Sequence, residues 1–391
     1  MKILFISNLF PDTLEPNRGS DNAELLGYLK AWAEVRVLCP RPSLPWLGRQ
    51  QFTGRPAEAD FAPVFVPATY IPKIGGPWNH RLMARALRPA LLKIRAEFPF
   101  DVVLCSWLYP DACAVARLAG EMAFPFVSIA QGSDVHQYLQ MPARRGIILS
   151  AMERSAAIIT RSGQLAELLA EAGVPRPKLK VIYNGVDTRR FQPGDSAAAR
   201  QELALPRDGQ VVLFVGNLLP IKNPVLLVDA HAEVCRQRTE RRTHLVIVGG
   251  GPLGQHIRRR ADAAGFGERV WLAGRKSPLE VARYLQAADV LALSSRNEGV
   301  PNVVLEAFAA GLPVVSTRVG GIPEVLCHDY LGKLVEPGHA GALAAGLIEV
   351  LGRTNQCHLI RQHGLKFSWE KTADDYATVL ERAGRSGPTS V

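Results

Sequence analysis

Val290-Leu-Ala-Leu-Ser-Ser-Arg-Asn-Glu298-Gly-Val-Pro-Asn-Val-Val-Leu-Glu306 joins an apolar run to a Gly/Pro loop and the start of a helix. The run at 290–295 has the length and continuity of a strand buried on both faces. Pro301 suits the start of a helix, where a missing N–H costs nothing. Gly311 and then Pro313 stop that helix. The same strand–loop–helix unit recurs along the chain. Other apolar runs fall at 3–7, 35–39, 64–67, 101–106, 126–130 and 157–160, and again at 211–216, 244–249, 270–274 and 314–317. Strands alternating with helices predict βαβ units and parallel sheets. The pattern restarts after Asn184-Gly185-Val186-Asp187 and the polar segment 191–208. We therefore expect two doubly wound, Rossmann-like α/β domains, 1–190 and 191–369, facing a cleft. The end of the chain, from Gly384 to Val391, is expected to be disordered.

The chain has 391 residues, enough for two ordinary domains, and 47% are apolar. Cys39, Cys105, Cys113, Cys235, Cys327 and Cys357 contain no CxxC pair and no zinc spacing. They are expected to be reduced, as in the cytoplasm. Met1-Lys2 runs straight into the strand at 3–7, with no signal-peptide core. No apolar run approaches the roughly 18 residues of a membrane span. A soluble protein, or one peripheral on the inner face of the plasma membrane, is expected. The net charge is +10, and residues 1–190 hold 23 Lys/Arg against 16 Asp/Glu. Arg81, Arg85, Arg88, Lys93 and Arg95 alternate there with Trp78, Leu82, Leu87, Leu91 and Leu92. An ordinary domain helix with a solvated basic side explains this. A face resting on anionic lipid explains it too. Nucleic acid is not expected, because no recognition motif or aromatic ladder accompanies the charge.

Ligands of doubly wound sheets bind beyond the C-terminal strand ends. The candidate motifs fall there. In the quoted stretch, Glu298 lies in the loop and Glu306 about one turn into the helix. A helix N-terminus offers unpaired N–H groups and partial positive charge, which attract phosphate. Acids on either side can accept hydrogen bonds from sugar hydroxyls. The pattern describes a pocket for a sugar joined to a phosphate. Gly216-Asn217 through Lys222-Asn223-Pro224 follows the strand at 211–216, and Lys222 there is a point charge for phosphate or a plain surface lysine. Gly249, Gly251 and Gly254 match GxGxxG. The acid that would hold a dinucleotide ribose is absent, and the next strand ends Gly274-Arg275. A tight turn, or an NADP site using Arg275, remains. Gln131-Gly-Ser-Asp134-Val-His136 follows the strand at 126–130, and both Asp134 and His136 are candidate reactive groups beside their structural alternatives. Glu324, after Gly320-Gly321-Ile-Pro, is a favourable first-turn acid. No Asp-x-Asp, P-loop, HExxH or GxSxG occurs. With Lys222 and a helix N-terminus present, phosphate charge can be met without metal.

These residues resemble the retaining glycosyltransferases of family 4, which have the GT-B fold. Glu298 to Glu306 matches the family's E-x7-E motif, and 294–315, Gly320–Glu324, Lys222, Ile182–Asp187 and Phe367–Glu370 are similar to it throughout. The resemblance implies transfer of a sugar from a UDP- or GDP-linked donor to an acceptor hydroxyl, with no cofactor or metal. The acceptor would be a glycan or lipid-linked molecule in envelope or exopolysaccharide synthesis. It gives Glu298 the sugar hydroxyls and Glu306 the ribose. Lys222 and the N–H groups near Gly299, Val303 and Val304 take the pyrophosphate. Arg275 lies beside the base, and Gly19 near the phosphates. The last helix, near 370–385, would pack on the N-terminal domain. Two positions depart from the pattern: Asn217 stands where the family often has arginine, and Gln131 where many members have histidine. Asp134 and His136 are the nearest substitutes for that histidine. Rival readings are a nucleotide-sugar epimerase, a non-catalytic sugar-nucleotide-binding protein and an NADP-dependent oxidoreductase.

Overall fold

The structure is a computed structural model, and residues 1–44, 53–354 and 356–387 are described. The chain divides into two compact units, Met1–Asn184 with Trp369–Val391, and Gly185–Ser368. The division thus falls at Asn184 and Ser368 rather than at 190 and 369.

The first unit holds a parallel sheet of β1 (Lys2–Ile6), β2 (Glu34–Ser43), β3 (Val64–Thr69), β4 (Val102–Ser106), β5 (Phe126–Ala130), β6 (Ala157–Thr160) and β7 (Leu179–Val181), in the order β3-β2-β1-β4-β5-β6-β7. The second holds β8 (Gln210–Val215), β9 (Thr243–Val248), β10 (Val270–Gly274), β11 (Val290–Leu293), β12 (Val314–Thr317) and β13 (Gly332–Val335), in the order β10-β9-β8-β11-β12-β13. Each sheet reverses direction once. The reversal lies between β1 and β4 in one unit and between β8 and β11 in the other. These are the topological switch points, where the loops diverge to opposite faces and leave a crevice.

All eleven apolar runs become strands, and two further strands appear among the described residues. β7 (Leu-Lys-Val) and β13 (Gly-Lys-Leu-Val) are edge strands with lysine inside them. Charge on an edge discourages sheet-to-sheet pairing, and it also breaks the apolar signal. β2 continues to Ser43 through Pro40 and Pro42. Beyond Leu38 it pairs with β3 alone, so proline can be accommodated on its open side.

Side chains alternate across the first sheet. Leu4 and Ile6 face a core with Leu87, Leu91 and Ile94, while Ile3 and Phe5 face one with Trp369, Tyr376 and Leu380. The C-terminal helix Trp369–Ser386 therefore closes the second face of the first unit, with Trp369 stacked on Tyr28 at 6.3 Å. Gly384, Arg385 and Ser386 belong to this helix rather than to a disordered tail, while 388–391 lie outside the described residues.

The basic stretch forms the Asn79–Glu97 helix, but its leucines do not share one face. Leu87 and Leu91 are in the core, whereas Trp78 and Leu92 are about half exposed. Arg81, Arg85, Arg88, Lys93 and Arg95 are all exposed. No described helix is long and apolar enough to cross a membrane.

Burial also makes the second unit sensitive to acid. His231, in the Pro224–Gln237 helix, is fully buried, with Nε2 3.1 Å from the Thr243 carbonyl. Desolvation pushes its pKa down to about 4. Folding therefore favours the neutral ring. Its contribution is complete above the unfolded value of about 6.5 and is lost as pH falls towards 4. Chemical denaturation at pH 7 and pH 4.5 should show the native protein losing roughly 2–3 kcal/mol more than a His231→Gln variant. An equal loss in both would remove His231 as the cause.

Candidate functional site

A contact between polar side chains spans each switch point. In the second unit the contact joins Lys222, from the loop after β8, to Glu298, from the loop after β11. Lys222 Nζ lies 2.6 and 2.5 Å from the two Glu298 carboxylate oxygens. Ser295 Oγ donates to Oε1 at 2.6 Å. The Glu298 side chain is only 8% exposed and that of Lys222 27%, so water screens the pair weakly. The frame around it is backbone. Ser294 Oγ donates to the carbonyls of Lys222 and Asn223 at 3.1 and 2.8 Å, and Arg296 N–H to Ile221 at 2.8 Å. Thr317 Oγ1 holds the Ser295 carbonyl at 2.7 Å.

The Glu298 loop feeds the Asn302–Ala309 helix. Pro301 is the residue before its first turn, not the first helical residue, and no side chain caps this end. Val303 is half-buried and Val304 is core. The Val304 N–H already donates to the Pro301 carbonyl at 3.0 Å, so the expectation that it meets phosphate is corrected. Glu306 is half-buried one turn on. Gly299 accepts from Gly321 N–H at 3.0 Å, and Gly320 (φ +60°) lies so close that a Cβ there would sit 1.8 Å from the Glu298 carbonyl oxygen.

The other loops of this edge cross one another. Gly216 N–H donates to Val248 and Gly249 N–H to Gly274, at 2.9 and 2.8 Å. Gly249 has φ +145°, and a Cβ on it would stand 1.9 Å from the Gly216 carbonyl oxygen. The GxGxxG match is thus accounted for by strand-end loops crossing in contact. Asn217 is exposed, and exposed Arg275 lays its side chain over Gly250.

In the first unit the spanning contact joins Asn8, after β1, to Asp111, after β4. The buried Asp111 carboxylate accepts from Asn8 N at 2.5 Å and from Asn8 Nδ2 at 2.8 and 3.0 Å. Burial is the largest influence on it and pushes its pKa up to about 7 against the pull of the Asn8 bonds. Arg18 holds the Asn8 carbonyl and side-chain oxygens at 2.8 and 2.7 Å. Gly19 precedes the Ser20–Leu29 helix and accepts from Asn22 and Ala23 N–H. Gln131 Nε2 donates to Ser106 Oγ at 2.7 Å and to Asn22 Oδ1 at 3.2 Å. Trp107, between β4 and this loop, has φ +83°, a strained value for a non-glycine residue beside a switch point.

Asp134 and His136 part company. Asp134 is fully buried and accepts from Leu108, Gln131 and Gly132 N–H at 2.7–3.2 Å. Its carboxylate folds the loop after β5 and has no oxygen turned to solvent, so the expectation of a reactive Asp134 is corrected. His136 is partly exposed, while its Nε2 is buried without a hydrogen-bond partner. Burial lowers its pKa, which keeps the ring neutral near pH 7. Asn8 and Asp111 carry no motif, and only their place at a strand end beside the reversal could have singled them out.

Against known proteins, the family described as glycosyl transferases group 1 matches residues 195–367, and the one described as glycosyltransferase family 4 matches residues 22–190. Together the two matches support a glycosyltransferase of family 4. The D-inositol 3-phosphate glycosyltransferase of Segniliparus rotundus is 33% identical over 268 residues, 67% of this chain and 59% of the relative. D-inositol 3-phosphate glycosyltransferase 2 of Catenulispora acidiphila is 34% identical over 231 residues, 56% of this chain and 54% of the relative. The match thus spans a little over half the length of these curated relatives. Among solved structures, Anabaena Alr3699/HepE in complex with UDP has a TM-score of 0.77 at 21% identity, covering 98% of this chain and 100% of that one. The apo lipopolysaccharide outer core galactosyltransferase WaaB has 0.72 at 18%, covering 98% and 99%. These likenesses place the fold in the GT-B class, as the E-x7-E resemblance implies.

Proposed function

We propose that this family 4 member transfers a sugar, with retention, from a UDP- or GDP-linked donor to an acceptor hydroxyl. The observation that carries the reading is the Lys222–Glu298 pair at the β8/β11 reversal, beside a helix N-terminus with no side-chain cap. Family membership and the relatives' names support it. In the proposed sequence the diphosphate draws the Lys222 ammonium towards itself. That frees the Glu298 carboxylate for the sugar hydroxyls and for the positive charge that develops at the anomeric carbon. Glu306 holds the ribose, Arg275 lies beside the base, and Gly299 and Val303 supply backbone N–H groups. The diphosphate takes the leaving charge and the acceptor proton, and no metal enters the scheme. His136, with its unpartnered Nε2, is left to hydrogen-bond an acceptor hydroxyl in the first unit. The first unit is assigned the acceptor, a glycan or lipid-linked molecule of envelope or exopolysaccharide synthesis, and the second unit the donor.

A coupled assay of nucleotide release from UDP- and GDP-sugars tests this. Melting temperature against UDP, GDP and ADP should rise for one base, by mass action on the folded state. A Glu298→Ala variant is expected to keep that rise while losing at least about 10²-fold in transfer, the scale of a lost transition-state contact. Unchanged turnover would remove Glu298 from the chemistry.

The exposed arginines of the Asn79–Glu97 helix, with half-exposed Trp78 beside them, are assigned to the anionic inner leaflet of the plasma membrane. Each basic residue near such a surface contributes about 1 kcal/mol. Sedimentation with phosphatidylserine vesicles should fall at least about tenfold in an Arg81→Ser/Arg85→Ser/Arg88→Ser variant. Equal sedimentation of both proteins would reject the assignment.

A further inference from the structure

Cys327, His328 and His363 lie outside every motif discussed so far. Cys327 and His328 follow the Ile322–Val325 turn of helix, and His363 sits near the end of the Cys357–Gly364 helix. Each of the three can bring one ligand atom to within 4.8 Å of the other two. His363 is 6% exposed, and its Nε2 lies 3.0 Å from the Val325 carbonyl oxygen. A carbonyl can only accept, so Nε2 carries the proton and Nδ1 carries the lone pair. Nδ1 is buried with no hydrogen-bond partner. Its ring is packed against Phe308 and Phe367, with centroids 5.5 Å from each. An orphaned acceptor in an apolar wall is costly. The same arrangement, one nitrogen fixed by a backbone carbonyl and the other open, is how a metal-binding imidazole is prepared. His328 stands perpendicular to His363 at 6.0 Å and stacks on Tyr330 at 5.2 Å.

We propose that Cys327, His328 and His363 bind a zinc-class divalent cation, with a water in the fourth position. One sulfur and two imidazoles suit zinc and not magnesium or calcium, which take oxygen donors. Bonds of about 2.0–2.3 Å place tetrahedral ligand atoms roughly 3.5 Å apart, so the set must close by about 1 Å. Exposed Cys327 and His328 can make that movement. The thiol gives its proton to solvent as the sulfur–metal bond forms, and no electron is transferred.

The ion would brace the donor unit. Gly321, at the head of the Ile322–Val325 turn, donates to Gly299 at 3.0 Å, and His363 packs on Phe308 of the Asn302–Ala309 helix. The cation would therefore tie together two elements that support the Glu298 loop from behind. It is a structural site and does not depend on the transferase reading.

The test uses full-length protein stripped of metal and then titrated with Zn²⁺ or Co²⁺. Cobalt should give a thiolate-to-metal charge-transfer band in the near ultraviolet. The band should vanish in Cys327→Ser and persist in Cys357→Ser. Zinc should raise the melting temperature of the native protein, with affinity reduced at least about tenfold in His363→Gln and unchanged in His358→Gln, a surface control on the same helix. Magnesium should give no rise. Since His363→Gln also alters the core, exposed Cys327 decides the question by itself. No cobalt band in the native protein, or a band that survives Cys327→Ser, overturns the site.

Discussion

A Lys222→Ala enzyme is expected to lose about 10²–10³-fold in kcat/KM, because one preformed charge on a departing oxyanion is worth about 3–4 kcal/mol. The variant should also be less stable with no ligand present. Lys222 is the cation on the 8%-exposed Glu298 carboxylate, and without it Ser295, at 2.6 Å, is the partner left among the described residues. Breaking a fully buried pair costs about 3–5 kcal/mol. Lys222 is about a quarter exposed and water can enter the gap, so about 1–2 kcal/mol is expected here. Replacing both partners, Lys222→Met with Glu298→Gln, should recover most of that stability and none of the activity. Denaturant midpoints and initial rates on the two variants separate these effects. If Lys222→Ala alone were as stable as the native protein, the contact between the two side chains would be weaker than its geometry indicates.

Gly320→Ala is expected to damage both the stability of the second unit and transfer. The residue has φ +60°, which costs a non-glycine residue about 1–2 kcal/mol. The added Cβ would also stand 1.8 Å from the Glu298 carbonyl oxygen, so the Glu298 loop has to move. A displacement of about 1 Å at a reacting group can cost 10²-fold in rate. Transfer should therefore fall by at least about 10²-fold together with a clear drop in melting temperature. Gly341→Ala, in the Ala340–Leu351 helix with open space around it, should change stability by less than about 1 kcal/mol, in the stabilising direction. Activity of Gly320→Ala within twofold of native would show that the close approach is dispensable.

The parallel strands were legible because strands buried on both faces tend to be continuously apolar, as 211–215 is. β7 and β13 were hidden by Lys180 and Lys333, which protect a sheet edge by breaking that same signal. The strand order is not written in any run, and with it the reversals that bring Lys222 to Glu298 and Asn8 to Asp111. Asp134 looked like a reactive group because it is an acid at a strand end. Only the backbone N–H groups around it reveal that its charge is spent on folding the loop. The Cys327, His328 and His363 set had no spacing signature, since its third member arrives from another helix. The E-x7-E stretch, by contrast, keeps loop acid, helix tip and second acid within one segment, so its chemistry is readable before any tertiary contact is known.

Val186 pairs with Ser368, Val186 N–H donates to Phe367 at 2.8 Å, and Thr372 Oγ1 reaches the Tyr183 carbonyl at 3.3 Å. The polypeptide therefore departs from the first unit and rejoins it at neighbouring points, and residues 185–368 form an insertion whose two ends already touch. Such a piece loses little when excised, and a short splice from Asn184 to Trp369 would reseal the host. The architecture thus invites exchange of the inserted piece between relatives as a cassette, leaving the remaining sheet and its terminal helix undisturbed.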